Sequence, residues 1–81
     1  MMDDIRKIVA LMPTLKRYSV VLLLYLVTVD PEHGGIVLKQ WHIMEKTGLC
    51  QRSLQLAIKE LEDKGLLLRD NERNSEFTVL L

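Results

Sequence analysis

The hydrophobic positions in the first thirty residues predict two helices separated by a proline. Residues 1–12 begin with acidic side chains, which favour a helix N-terminus because they complement its dipole, and apolar residues follow at helical spacing. These apolar positions are Ile5, Ile8, Val9 and Met12. Pro13 interrupts the helix, and only Ser19 and Thr28 interrupt the apolar run of residues 18–29. The valines there would also suit a strand, but a stripe at helical spacing favours a second helix, which is too short to span a membrane.

Two helices joined by a tight turn are predicted between residues 39 and 65. Residues 40–47 form the first, and Gly48 ends it because glycine readily adopts the positive φ that follows many helices. Residues 51–64 form the second, and Cys50 stands at its N-cap, where a thiol caps less well than a side-chain oxygen. The apolar residues of the second helix share one face and are Leu54, Ala57, Ile58 and Leu61. Gly65 ends this helix.

Three short strands complete the predicted elements. Residues 36–38 follow a Gly-Gly turn, residues 66–68 lead away from the last helix, and residues 76–81 return after a polar loop at residues 69–75. The last two strands are expected to form a hairpin. The pattern therefore predicts an α+β fold that is mostly helical.

This order of elements resembles the winged helix-turn-helix family. The resemblance rests on Ile43-Met44, Gly48-Leu49, Ser53-Leu54, Ile58, Leu61-Glu62 and Gly65-Leu66-Leu67, followed by a charged hairpin. Met44 replaces a small Ala and Cys50 replaces a Ser or Thr of the family pattern. The resemblance covers residues 36–81, and the length of 81 residues indicates a single domain. In that domain residues 1–30 add N-terminal helices, residues 36–65 form a strand and the helix-turn-helix, and residues 66–81 form a two- or three-stranded β wing.

The resemblance also implies a site for double-stranded DNA, with the second helix of the motif in the major groove. Its outward residues would face the bases: Gln51, Arg52, Gln55, Leu56 and Lys59. Arg and Gln contact guanine and adenine edges in pairs of hydrogen bonds, whereas Leu56 would meet a thymine methyl or a protein partner. The residues expected at phosphates or on the wing are Lys46, Arg69, Asn71 and Arg73, and Lys59 would also contact phosphate.

The charge balance is the main argument against DNA. Eleven Lys and Arg residues oppose eleven Asp and Glu residues, so the formal net charge is zero. Basic residues nevertheless dominate residues 46–59, which contain no acid, whereas Glu60, Glu62 and Asp63 follow them.

The expected function is a small homodimeric transcriptional regulator of a bacterium, archaeon, plasmid or virus. The alternatives are a winged helix that binds only protein, and a plasmid or phage replication or partition protein that binds DNA.

The length of the chain and its second helix suggest a homodimer. A chain of 81 residues buries only roughly 60–65 % of its unfolded surface, and residues 18–29 are apolar on every side of a helix. The face expected to pair with a second copy consists of Val20, Leu23, Leu24 and Val27. The alternative is a core helix covered within one chain.

No residue cluster in the sequence indicates an enzyme, a metal or a cofactor. One Cys and two His residues lack the number and spacing of a zinc site, and no Ser stands in a nucleophile elbow. Carboxylates such as Glu60 are expected to pair with Lys64 at helical spacing. Cys50 is expected to be a half-buried filler, with a redox-sensing thiol as the alternative, and Trp41 is expected to pack. A lone thiol and no signal sequence favour the cytoplasm.

Overall fold

The computed structural model describes residues 2–69 and 76–81 of the chain. This part contains four α-helices, a short 3-10 helix at Met12–Thr14 and three β-strands. Their bounds are α1 Met2–Leu11, α2 Arg17–Val29, β1 Ile36–Val37, α3 Gln40–Thr47, α4 Gln51–Asp63, β2 Leu67–Arg69 and β3 Glu76–Val79. The architecture is α+β and mostly helical, which confirms the class predicted from the sequence.

The three strands form an antiparallel sheet in the order β1-β3-β2. Ile36 lies opposite Phe77, and Leu67 lies opposite Val79, so these four side chains share one face of the sheet. Leu67, Phe77 and Val79 are buried on that face. The alternate positions Val37 and Leu68 lie on the outer face and are exposed. The connection between β2 and β3 falls at residues 70–75, outside the described part of the chain.

Helix α2 is the centre of the core, because α1, α3, α4 and β3 all pack against it. Its buried residues recur at helical spacing on one broad face. The buried apolar residues of the described chain are Ile8, Leu22, Leu23, Leu26, Val27, Ile43, Leu54, Ala57, Ile58, Leu61, Leu67, Phe77 and Val79. One core therefore joins the four α-helices to the sheet.

The burial around α2 corrects the predicted dimer face. Leu23 and Val27 are 0 % and 1 % exposed within a single chain, so they cannot form a contact surface for a second copy. Val20 and Leu24 are only partly buried and pack against the same core. The prediction assumed that so small a domain could not surround an apolar helix, and this assumption was wrong because packed elements cover α2 on several sides.

Helix α1 has the predicted element type but a different buried face. Ile8 is fully buried, whereas Ile5, Val9 and Met12 are 40 %, 54 % and 41 % exposed. Asp4 is buried beside Ile8 on the inner side, and its Oδ2 lies 2.9 Å from Nε2 of His33. The apolar stripe read from the sequence therefore lies mainly on the outside of α1.

The loop between α2 and β1 is closed by one carboxylate. Asp30 accepts hydrogen bonds from the backbone N–H groups of Gly34 and Gly35, at 3.3 and 2.9 Å. Gly35 has a φ of 96°, and a Cβ there would lie 3.1 Å from Oγ1 of Thr78, so a larger residue would be strained. This loop presents His33 to Asp4 and so ties α1 to the body of the fold.

Spanning a membrane requires a helix of about 20 predominantly apolar residues. None of the helices within residues 2–69 and 76–81 combines the length and the apolar character needed to cross a bilayer.

Candidate nucleic-acid interface

Helix α4 presents a buried face and an opposite polar face. Leu54, Ala57 and Leu61 are 0 % exposed and Ile58 is 2 % exposed, which fixes the rotation of the helix about its axis. The residues predicted to face DNA bases are all exposed: Gln51, Arg52, Gln55, Leu56 and Lys59. The sequence pattern thus predicted correctly which side of α4 meets solvent.

A three-residue turn sets the direction in which α4 leaves α3. Gly48 has a φ of 76°, and its N–H donates to the carbonyl of Met44 at 2.9 Å, which closes the end of α3. Thr47 supports the turn, because its Oγ1 accepts from the N–H of Leu49 at 3.3 Å. Cys50 is the N-cap of α4 and makes no side-chain capping bond, which confirms the predicted weak cap.

Cys50 differs from the half-buried filler predicted from the sequence. The thiol is exposed, and its Sγ lies 3.3 Å from Oγ of Ser53 in a hydrogen bond. The pKa of the Cys50 thiol is lowered, first because the Ser53 side chain hydrogen-bonds to it and then because of the Ser53 backbone. The first turn of α4 therefore carries an accessible thiol with an increased thiolate fraction.

The far end of α4 is anchored to the start of α2. Oε1 of Glu60 accepts hydrogen bonds from the backbone N–H of Lys16 at 3.0 Å and from Oγ of Ser19 at 2.5 Å. Nζ of Lys64 donates to the carbonyl oxygen of Thr14 at 2.5 Å. The predicted ion pair between Glu60 and Lys64 is therefore replaced by bonds that both side chains make to residues 14–19.

The carboxyl group of Glu60 shows opposing effects on its pKa. Burial raises the pKa of Glu60. The hydrogen bonds from Ser19 and from the Lys16 backbone, together with the charges of Lys64 and Lys16, lower the pKa by more than burial raises it. The net result is a lowered pKa, so the bonds to α2 are made by a carboxylate. This charge is held in the contact between α2 and α4.

A cleft of about 330 Å³ separates α4 from β2 and the first turn of α3. The side chains around it are Gln40, Gln55, Ile58, Lys59, Glu62 and Arg69. Nη2 of Arg69 lies 3.6 Å from Oε1 of Glu62, and both side chains are about one-third exposed. Nε of Arg69 is covered and has no hydrogen-bond partner in the described chain.

The structure describes only some of the residues predicted to contact phosphate. Lys46 is exposed in the last turn of α3, and Arg69 lies in the cleft rather than on the outer face of the sheet. Asn71 and Arg73 lie outside the described residues. The phosphate role of these side chains stays a prediction.

Trp41 is a surface feature that the sequence reasoning placed wrongly. Its side chain is 61 % exposed, and its ring meets His42 edge-on at a centroid distance of 5.5 Å. Helical phase could have revealed this, because Trp41 lies two positions before the buried Ile43 and therefore on nearly the opposite side of α3.

Within residues 2–69 and 76–81, no three His, Cys, Asp or Glu side chains come together as a ligand set. Comparisons with protein-family models, with curated proteins and with solved structures gave no match for this chain.

Proposed function

We propose that this chain is a winged helix-turn-helix protein that binds double-stranded DNA sequence-specifically, with α4 as the recognition helix. The observation that carries the proposal is the exposed face of α4, where Arg52, Gln55 and Lys59 stand together over a buried apolar face. The short turn from α3 and the paired strands β2 and β3 support it, because they follow one another in the order of that family. On this proposal β2 and β3 are the wing.

The charge distribution around α4 supports DNA as the partner despite the zero net charge. Residues 46–59 contain basic side chains and no acid, so the first half of α4 has a positive surface. The acids come later, and two of the three have partners inside the chain: Glu60 contacts α2 and Glu62 faces Arg69. The negative end of α4 is thus partly neutralised within the fold.

The proposed biological role follows from the size of the protein and the chemistry of the site. A single domain with one base-reading helix suits a small transcriptional regulator, which we propose acts in the cytoplasm as a homodimer on two half-sites. A plasmid or phage replication or partition protein would use the same contacts. DNA binding is common to these roles and is tested first.

Selection of bound sites from a random duplex pool tests the proposed function. We expect the wild-type protein to enrich one motif and to lose affinity as salt rises, because phosphate contacts release counterions. The double variant Arg52→Ala, Lys59→Ala should lose the motif. The matched control Arg6→Ala, Lys7→Ala removes two positive charges from the exposed surface of α1 and should keep it. Failure of the wild type to retain any duplex at low salt would reject DNA binding.

A protein partner is the second candidate, and one observation favours it. Leu56 is 41 % exposed on α4 and lines a shallow groove with Tyr18, Asp63 and Lys64. An exposed Leu beside an aromatic ring suits an apolar anchor from another protein. If the duplex test fails, Leu56→Ala is the variant with which to follow protein binding.

A further inference from the structure

Arg69 has few hydrogen-bond partners among residues 2–69 and 76–81. Its guanidinium group carries five N–H donors, yet it makes no hydrogen bond to a described residue, and its Nε is covered. The distance of 3.6 Å from Nη2 to Glu62 allows charge attraction but is too long for a hydrogen bond. A covered donor that lacks a partner within the described part of the chain is unfavourable there, so a better anion would stabilise Arg69.

The cleft around Arg69 has the chemistry of a phosphate site. Lys59 and Arg69 supply two positive charges, and the amides of Gln40 and Gln55 supply further donors around the apolar side chain of Ile58. Gln55 and Lys59 also belong to the exposed face of α4, so the cleft opens beside the surface proposed to meet DNA. Among the described residues that line the cleft, Glu62 alone is acidic.

We propose that this cleft binds one phosphate of the DNA backbone. In the free protein the Glu62 carboxylate pairs with the Arg69 guanidinium group, and the phosphate displaces that carboxylate when DNA binds. The inference rests on the proposed DNA binding and adds a competitor inside the protein. A phosphate oxygen forms short, charge-assisted hydrogen bonds with a guanidinium group, which the Glu62 carboxylate does not form at its present distance. Glu62 is therefore an autoinhibitory contact that lowers affinity for every DNA sequence equally.

Neutralising Glu62 tests this contact. Breaking an exposed ion pair changes an equilibrium constant by up to about fivefold, so Glu62→Gln should bind both preferred and scrambled duplexes up to about fivefold more tightly. The matched control is Asp63→Asn, which removes the same charge from the next residue, an exposed side chain. It should produce a clearly smaller gain. Fluorescence anisotropy with a labelled duplex measures both variants at several salt concentrations.

The Arg69→Ala background shows whether the gain passes through Arg69. We expect Arg69→Ala to weaken all duplexes and to make the salt dependence shallower by about one counterion. In that background Glu62→Gln should increase the affinity for the duplex no more than Asp63→Asn does. Inorganic phosphate is the second probe. It should compete with the duplex less well for the double variant Glu62→Gln, Arg69→Ala than for the single variant Glu62→Gln, because the double variant lacks the phosphate-binding guanidinium group.

The outcomes separate this inference from the proposed function. One outcome rejects the autoinhibitory contact and leaves DNA binding standing. In it the wild type binds a preferred duplex, Arg52→Ala weakens that binding, and Glu62→Gln increases the affinity no more than Asp63→Asn does. If neither the wild type nor Glu62→Gln binds any duplex at low salt, both proposals are rejected. A gain from Glu62→Gln that persists in full in the Arg69→Ala background also overturns the inference.

Discussion

At the residue scale, Leu61 and Leu56 lie on one helix in opposite environments. Leu61 is 0 % exposed in the core, and Leu56 is 41 % exposed on the surface. Leu61→Ala should lower the free energy of unfolding by about 2–5 kcal/mol, because it removes buried methyl groups and leaves a cavity. Leu56→Ala, the matched control, should change it by about 0.5 kcal/mol or less. Urea unfolding followed by circular dichroism measures both, and equal effects would contradict the assigned rotation of α4.

Glu60 gives a prediction about pH at the same scale. Its pKa is lowered in the folded chain, so its contribution to stability is present above the unfolded pKa and is lost as pH falls through the folded one. Glu60→Gln should therefore be less stable than the wild type at neutral pH, and the difference should shrink once the pH drops below the usual glutamic acid range. Thermal unfolding across a pH series tests this. Asp63→Asn is the control, since Asp63 is an exposed acid on the same helix. A difference that stays constant down to strongly acid pH would argue against the carboxylate bonds to α2.

At the scale of elements, we propose that α4 contacts base edges and that the end of α3 contacts phosphate. Arg52 lies in the first turn of α4, where a recognition helix reaches base edges, whereas Lys46 lies in the last turn of α3. Arg52→Ala should cost about 1–3 kcal/mol on the preferred duplex and relax the preference at one base pair. Lys46→Ala should weaken all duplexes alike and reduce the salt slope by about one. Binding on preferred and scrambled duplexes distinguishes the two, and uniform losses for both would remove α4 from base reading.

Element types could be predicted from the sequence because they depend on local spacing. The buried face of α4 and the positive φ after α3 both follow from residues that are neighbours in the chain. Partners distant in sequence could not be predicted in this way. Glu60 binds residues 14–19 rather than Lys64, and Arg69 faces Glu62 in the cleft. These contacts depend on how whole elements pack, which a periodic pattern does not encode.

At the scale of the whole molecule, the same limit explains the misplaced dimer face. The sequence showed that α2 is apolar on several sides, but it could not show that four other elements of the chain pack against it. Leu23→Lys should consequently unfold the protein, because a buried charge without a partner is strongly unfavourable. Circular dichroism checks this; a folded Leu23→Lys monomer would restore the original prediction.

The proposed homodimer is expected to use the exposed side of α1 instead. Ile5 and Val9 of α1 form an exposed apolar stripe with Met12 of the following 3-10 helix, and such stripes commonly mark contacts between proteins. Val9→Lys should keep the fold and convert the dimer to a monomer at micromolar concentration, as measured by sedimentation. A wild-type monomer under the same conditions would reject the homodimer itself.

The exposed thiol at the start of α4 gives the molecule a chemical reporter of its own. Cys50 is the one cysteine of the chain, and its lowered pKa favours the thiolate that reacts with alkylating reagents. At mildly acid pH, iodoacetamide should modify the Cys50 thiol faster in the folded protein than in the protein unfolded by denaturant. If α4 enters the major groove, a preferred duplex should slow that reaction while a scrambled duplex protects less. Alkylation followed by mass spectrometry would thus record the approach of DNA to α4 without any added label.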